Sequence, residues 1–350
     1  MDEPSVKEKL LSSDTRTLHR PTLDVVASPY TPINLSALIL NERIPFDLYL
    51  KVAQKGSQDF AYLPFSKKGE PWERQWLDLL AQKGIDRLYF LNGDMEKALT
   101  YLHKHMQLLK HESAKVTPGL LTVFSEQLNL TIRKAFHSAR FGPGVHKAQT
   151  LIEGLIVSLQ QDSGSLKLVW KVLYHDYNIY NHSINLCLLG MAFMLFLKKS
   201  KKESRDLGMA GLLHDIGMTR ISQEIIAKEG PLTPEERTEV NQHPALGHRL
   251  LSKATSLAYV PNEVLRLTLE HHENADGSGY PLALPLSRQH SWTRIMRLLD
   301  SYESLTTNRP YRGSYKPFEA VKILREMRGT RGSIYDPATL KSFISFLTAE

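Results

Sequence analysis

The sequence predicts an α+β protein in two parts: a small α/β domain over residues 29–110 and an all-helical bundle over residues 166–350. Three observations lead there. Short β-rich pieces broken by turn material fill the first third, and apolar residues then recur at helical spacing almost to the end. Helix-opening signals such as Thr233-Pro234-Glu236, and Pro261 with Glu263, stand where those helices should begin. At 350 residues, 42% of them hydrophobic, the chain can bury the cores of two or more domains.

In chain order, residues 1–28 are polar without a sustained period and read as a disordered lead. The pieces SALIL, FDLYLKVA, FAYLPF and RLYFL read as strands, with turn material such as KKGE and NGD between them. WERQWLDLLAQKG reads as a helix, and MEKALTYLHKHMQLLKH closes the domain as another. Its HKH piece, His103 to His105, reads as part of a solvated basic helix. Residues 111–165 form a helical connector (LLTVFSEQLNLTIRKAF and KAQTLIEGLIVSLQQ) interrupted by the GPG break at Gly142–Gly144. From there SLKLVWKVLYH, an apolar run from Ile184 to Leu197, RDLGMAGLLHDIG, WTRIMRLLDSYESL and KPFEAVKILREM all carry the helical period. The capping box at Thr233 predicts a helix that starts there and carries His243 near its middle. The helix opened at Pro261 should end at His271 and His272, before the loop NADGSGYP.

Charge and cysteine content narrow the class. A formal charge of +7 and a pI near 9.2 favour an anionic ligand but fall short of a dedicated nucleic-acid binder. The single cysteine, Cys187, has no partner, which excludes an internal disulfide and points to a reducing compartment. The charged N-terminus lacks the apolar core of an export signal, so a cytoplasmic protein is expected. The apolar run around Cys187 falls short of the roughly 20 residues a bilayer needs and reads as a buried core helix, not a membrane span.

The chemistry lies between Asn181 and Asp300. His182, His214, Asp215, His243, His271, His272 and Asp300 stand in mostly helical, apolar surroundings, five imidazoles and two carboxylates. Such a set reads as a metal site. One divalent ion takes at most about six ligands and a catalytic ion keeps positions open, so seven protein ligands fit a pair of ions better. Asp215, beside His214 at a helix end, is the natural bridge between them. Each residue alone favours a bland role. His243 could be a hydrogen-bonded helix histidine, and Asp300 could be a carboxylate paired to Arg297 or Arg309. Their ordered recurrence is what argues for ligation, and mixed imidazole and carboxylate donors suit iron first and manganese second.

The order His182, His214-Asp215, His243-Pro244 with Gly247, His271-His272-Glu273, Asp276-Gly277-Ser278-Gly279-Tyr280-Pro281, Asp300 and Arg309-Pro310-Tyr311-Arg312 resembles the HD-GYP domain, over about Asn178 to Pro337. The resemblance implies an all-helical bacterial phosphodiesterase that hydrolyses cyclic di-GMP to the linear dinucleotide pGpG, or on to GMP, with two or three iron or manganese ions. It implies that the seven residues above are the ligands, that Gly279, Tyr280 and Pro281 shape the substrate mouth, and that Arg309 touches a phosphate. This chain departs from the pattern at Met218, where members usually carry the lysine of HDIGK; methionine cannot hold phosphate oxygens, and Arg220 is a partial substitute. Asn178 stands where some three-metal members have glutamate, which favours two ions. Glu303 and Asn308 stand where members often have aspartates. Two rivals follow: a catalytically weakened module that binds cyclic di-GMP and signals to a partner, and an HD-type hydrolase of mononucleotides. By its position alone, the first domain is expected to take a regulatory input or a protein partner, and a homodimer is compatible with this arrangement.

Overall fold

The computed structural model describes residues 28–53, 60–113, 115–136, 141–161, 163–173, 178–226, 228, 230–254, 260–309 and 312–349. All but Ser28 of the expected polar lead lies outside them, as do Pro310 and Tyr311. The chain divides into two compact units, Met1–Leu130 and Thr131–Glu350.

The first unit holds an antiparallel sheet of β1 (Tyr30–Asn34), β2 (Leu48–Ala53), β3 (Phe60–Ser66) and β4 (Arg87–Leu91) in the order β1-β4-β2-β3. Alternation puts Ile33, Leu48, Leu50, Leu88 and Phe90 in the core. Two helices follow in this unit, α1 (Arg74–Gln82) and α2 (Met95–Glu112), the latter burying Ala98, Leu99, Leu102 and Met106 at helical spacing, before the next helix runs on into the second unit. The SALIL piece is no strand. Asn34 Oδ1 accepts a hydrogen bond from the Ser36 amide at 2.9 Å, which caps a 3-10 turn over Leu35–Ala37 and ends β1. His105 of the HKH piece is half-buried and pairs through Nδ1 with the Ala37 carbonyl at 2.9 Å.

From α3 (Pro118–Phe136) onward the chain is helical: α4 (Gly142–Gln161), α5 (Ile179–Phe196), α6 (Lys201–Leu213), α7 (Gln223–Ile226), α8 (Pro234–Val240), α9 (His243–Ala254), α10 (Asn262–Glu270), α11 (Ser291–Thr306), α12 (Pro317–Glu326) and α13 (Pro337–Thr348). α5 is the centre, packed against α6, α11 and α13. By length and composition it could cross a membrane, yet 83% of it is buried inside the fold. Each Leu, Ile or Phe buried there contributes about 1.5–3 kcal/mol.

Local chemistry shifts three boundaries from the sequence reading. GPG opens α4 instead of breaking a helix, because Pro143 falls in the first turn, where its missing N–H costs nothing. Within SLKLVWKVLYH, the segment to Lys171 is 3-10, in a turn spanning Ser163–Lys171. His243 does not sit in mid-helix: α8 ends at Val240 with Asn241 as its C-cap, and His243 is the first residue of α9. Pro244 is the cause, since a residue preceding proline is disfavoured in the middle of a helix.

Candidate metal centre

Helix ends build the site. The last carbonyls of a helix lack intrahelical partners, and three histidines use them. His214 Nδ1 bonds Gly211 O at the end of α6 (2.8 Å), His243 Nδ1 bonds Val240 O at the end of α8 (2.7 Å), and His271 Nδ1 bonds Thr268 O at the end of α10 (2.9 Å). A carbonyl only accepts, so each Nδ1 carries the proton and each Nε2 is free to present a lone pair inward. His182, in the first turns of α5, reaches the same state by another route: its Nδ1 lies 2.5 Å from Glu303 Oε2.

These nitrogens meet the two carboxylates. Asp215 Oδ1 lies 3.1 Å from His243 Nε2 and 3.5 Å from His271 Nε2, while Oδ2 lies 3.3 Å from His214 Nε2 and 3.7 Å from His182 Nε2. Asp300, on α11, repeats the pattern, with Oδ1 3.3 Å from His182 Nε2 and Oδ2 3.9 Å from His272 Nδ1. All seven residues singled out in the sequence are therefore brought together. Among the described residues they include two donor groups, Asp215 with His243, His271 and His272, and His182 with His214 and Asp215, which share Asp215.

Two features fit cations in this cage. Among the described residues His214 Nε2 is buried without a well-directed hydrogen bond, Asp215 Oδ2 at 3.3 Å included, and the Nε2 atoms of His243 and His271 face each other at 3.0 Å, where lone pairs repel unless a proton or cation lies between them.

The electrostatics agree. Burial pushes the Asp215 and Asp300 carboxyls up, but the surrounding imidazoles, His214 beside Asp215 and His182 beside Asp300, prevail and hold both well below the usual carboxylate range. Burial disfavours a charged His182, yet Glu303 and Asp300 raise its pKa well above normal; His243 is raised by Asp215 against the same burial. His271 is lowered to about 4 by burial, and His272 is lowered by burial and by His271.

The mouth is set by exposure. The side chains of His272 (21%), Asp215 and Asp300 (13% each) meet solvent, whereas His271 (0%) and His214 (1%) do not. At that mouth the Tyr280 ring stacks on His272, centroids 4.7 Å apart. The loop is anchored by Glu273, whose carboxylate accepts from the Leu282 and Leu284 amides at 2.7 and 2.8 Å. Gly279 permits this fold-back, since a Cβ there would stand 2.3 Å from the Asn274 nitrogen. Pro281 follows Tyr280 through a cis peptide. Gly217 is required for a similar reason: a Cβ would stand 1.9 Å from the His243 carbonyl oxygen, where the 3-10 turn Ile216–Arg220 presses on α9.

The remaining sequence candidates are spread more widely. Arg309 is half-buried, and its charge lowers the pKa of Glu303, the partner of His182. Arg220 is exposed at the end of its turn, and Met218 in the same turn is half-buried. Asn178 is committed as the α5 N-cap, its Oδ1 accepting from the Tyr180 and Asn181 amides. Of the two partners considered for Asp300, Arg297 is the one in reach, Nη1 to Oδ2 3.9 Å. Sequence reasoning did not find how Glu303 is held. Its Oε1 accepts from Asn185 Nδ2 and Thr307 Oγ1, both at 2.8 Å, and a buried acid three residues after Asp300 was the available signal.

Comparison with known proteins supplies the class. Residues 183–339 match the HD domain family. A cyclic di-GMP phosphodiesterase of Pseudomonas aeruginosa is 30% identical over 211 residues, covering 60% of this chain and 49% of that protein. Another from Thermotoga maritima is 32% identical over 171 residues, covering 49% of this chain and 45% of that protein. The chain thus spans about half the length of these curated relatives. A solved HDG"Y"P protein from Bdellovibrio bacteriovorus shares the fold with a TM-score of 0.66 at 17% identity, over 91% of this chain and all of that one. Fold and site define an HD domain. Within that class, this part of the chain is similar to cyclic di-GMP phosphodiesterases.

Proposed function

We propose that the helical unit is a phosphodiesterase that hydrolyses cyclic di-GMP, to pGpG or on to GMP, at a binuclear centre of iron or, second, manganese. The observation that carries this reading is the pair of donor groups sharing Asp215. His182, His214, His243, His271, His272, Asp215 and Asp300 would hold the ions; Asn178, spent on capping α5, fits two ions and not three. When bound, the ions supply a water of lowered pKa and Lewis-acid contacts to the phosphate oxygens. The protein fixes the imidazole tautomers, keeps both aspartates ionised, excludes water behind the buried histidines and offers the mouth between His272 and Asp300. Gly279, Tyr280 and Pro281 shape that mouth for the dinucleotide. Arg309 adds positive potential beside Glu303 and is retained as a phosphate contact, with Arg220 as a peripheral cation. A cytoplasmic setting is proposed alongside, consistent with a lone, buried Cys187 whose thiol pKa is pushed up by burial. Protein purified without oxygen and loaded with iron or manganese is expected to turn over cyclic di-GMP, and His214→Ala to lose that turnover. Equal inactivity of both would end the proposal.

Met218 favours a second reading, a weakened module that binds the dinucleotide and passes the signal to a partner. Comparing wild type with Met218→Lys decides between them: a gain in turnover of about 100-fold marks a sensor, and a change within about threefold marks a working hydrolase.

A further inference from the structure

We infer that Arg297 is a phosphate-contacting residue of this centre, the rim cation that serves in place of the absent lysine at Met218. The inference rests on the proposed function for its substrate but on geometry for its site. Arg297 lies on α11 one turn before Asp300, with Nη1 3.9 Å from Asp300 Oδ2. No other Lys or Arg among the described residues forms an ion pair with any of the seven donors within 4.0 Å. The distance to Asp300 is too long for a hydrogen bond, so the guanidinium stands beside the cluster without being consumed by it.

The anchoring explains how it is aimed. Nε donates to Asn274 Oδ1 at 2.9 Å and Nη1 donates to Ser301 Oγ at 2.6 Å, while the guanidinium carbon sits 5.6 Å from the Tyr335 ring centroid. Two of its five N–H groups are thereby engaged, leaving the rest for an oxyanion. Asn274 in turn donates from Nδ2 to Ser278 Oγ at 3.1 Å, so the same side chain that orients Arg297 is tied to the GSGYP loop.

Position decides the role. Asp300 Oδ2, the atom nearest Arg297, is also the oxygen facing His272, the most exposed imidazole of the set. Arg297 has 17% of its side chain exposed and borders the mouth, whereas the charge of Arg309 is felt at buried Glu303. A phosphodiester entering over His272 and Asp300 meets the Arg297 guanidinium first. A planar fork there suits two phosphate oxygens at once, which a lysine ammonium would contact only as a point charge.

The test is binding of inorganic phosphate and, separately, of cyclic di-GMP to metal-loaded wild type, Arg297→Met and Arg297→Lys, with metal content measured in each. The expected result is phosphate affinity weakened by about tenfold or more in Arg297→Met at unchanged metal content, and largely restored by lysine. Unchanged phosphate affinity in Arg297→Met overturns the inference. Loss of metal together with phosphate binding also overturns it, since Arg297 would then only position Asp300. Should Arg297→Met not fold, Arg297→Gln keeps a donor toward Asn274 without the charge and carries the same comparison. Wild type that binds phosphate through Arg297 but neither binds nor turns over cyclic di-GMP leaves the inference standing and sinks the assigned substrate instead.

Discussion

Glu303 governs the chemistry of His182 from the far side of its ring, at Nδ1. Its carboxylate holds the Nδ1 proton and makes Nε2 a better donor, so Glu303→Gln is expected to weaken metal retention against a chelator by about 10–100-fold. Protons compete for the same nitrogens. His182 and His243 have raised pKa values, so in the metal-free chain they keep their protons to higher pH, and binding an ion must expel them. Metal affinity should therefore fall on acidification, measurable as metal content after dialysis at about pH 8 and about pH 5.5. His271, lowered to about 4, does not compete in that window. The sign reverses for stability of the metal-free chain. There the raised pKa of His182 stabilises the fold below the ordinary value of 6.5, and the gain is lost as pH rises through the folded value. At this scale the clustered donors were legible through their ordered recurrence, since each imidazole or carboxylate alone favours a bland role. The anchoring of Glu273, Arg297 and Glu303 was not, because each holds partners distant in sequence that only the folded chain brings opposite.

Between elements, two glycines hold the site together. Gly217→Ala would drive a Cβ into the His243 carbonyl and separate the 3-10 turn from α9, a loss of about 2–4 kcal/mol readable as a lowered denaturation midpoint. Gly279→Ala would push the Tyr280 loop off Asn274, and it should reduce dinucleotide turnover while leaving metal content intact. The capping box at Thr233, with Glu236 returning to the Thr233 amide, was readable from sequence and is present; Thr233→Ala should cost about 1 kcal/mol. The break after it was not read, although Pro244 marked it. β1 was missed for a related reason: Pro32 argues against a strand, but β1 is at the sheet edge, where a missing donor is tolerated.

For the whole molecule, the central fact is that α5, α6, α8, α9, α10 and α11 all have residues in or against one cluster, so ions bound there link six helices. Binding to the folded state alone stabilises it in proportion to the logarithm of occupancy, about 2.7 kcal/mol at 100 times Kd. Stripping the ions should therefore lower the melting temperature by several degrees, a shift expected to vanish in Asp215→Ala, which removes the shared ligand. The helical bundle was legible because its apolar period is long and its caps are explicit. The small sheet was less so, since strands of this length carry little periodic signal and Asn34 ends one of them through a single side-chain bond.

The main-chain locks on His214, His243 and His271 carry a consequence for how this centre meets a changing supply of ions. With the orienting protons tied to peptide oxygens at i−3, departure of an ion leaves those three rings already turned for the next arrival. Replacement of one divalent ion by another would then require no rewriting of the cage, leaving the choice to each ion's own affinity for imidazole and carboxylate and to its supply.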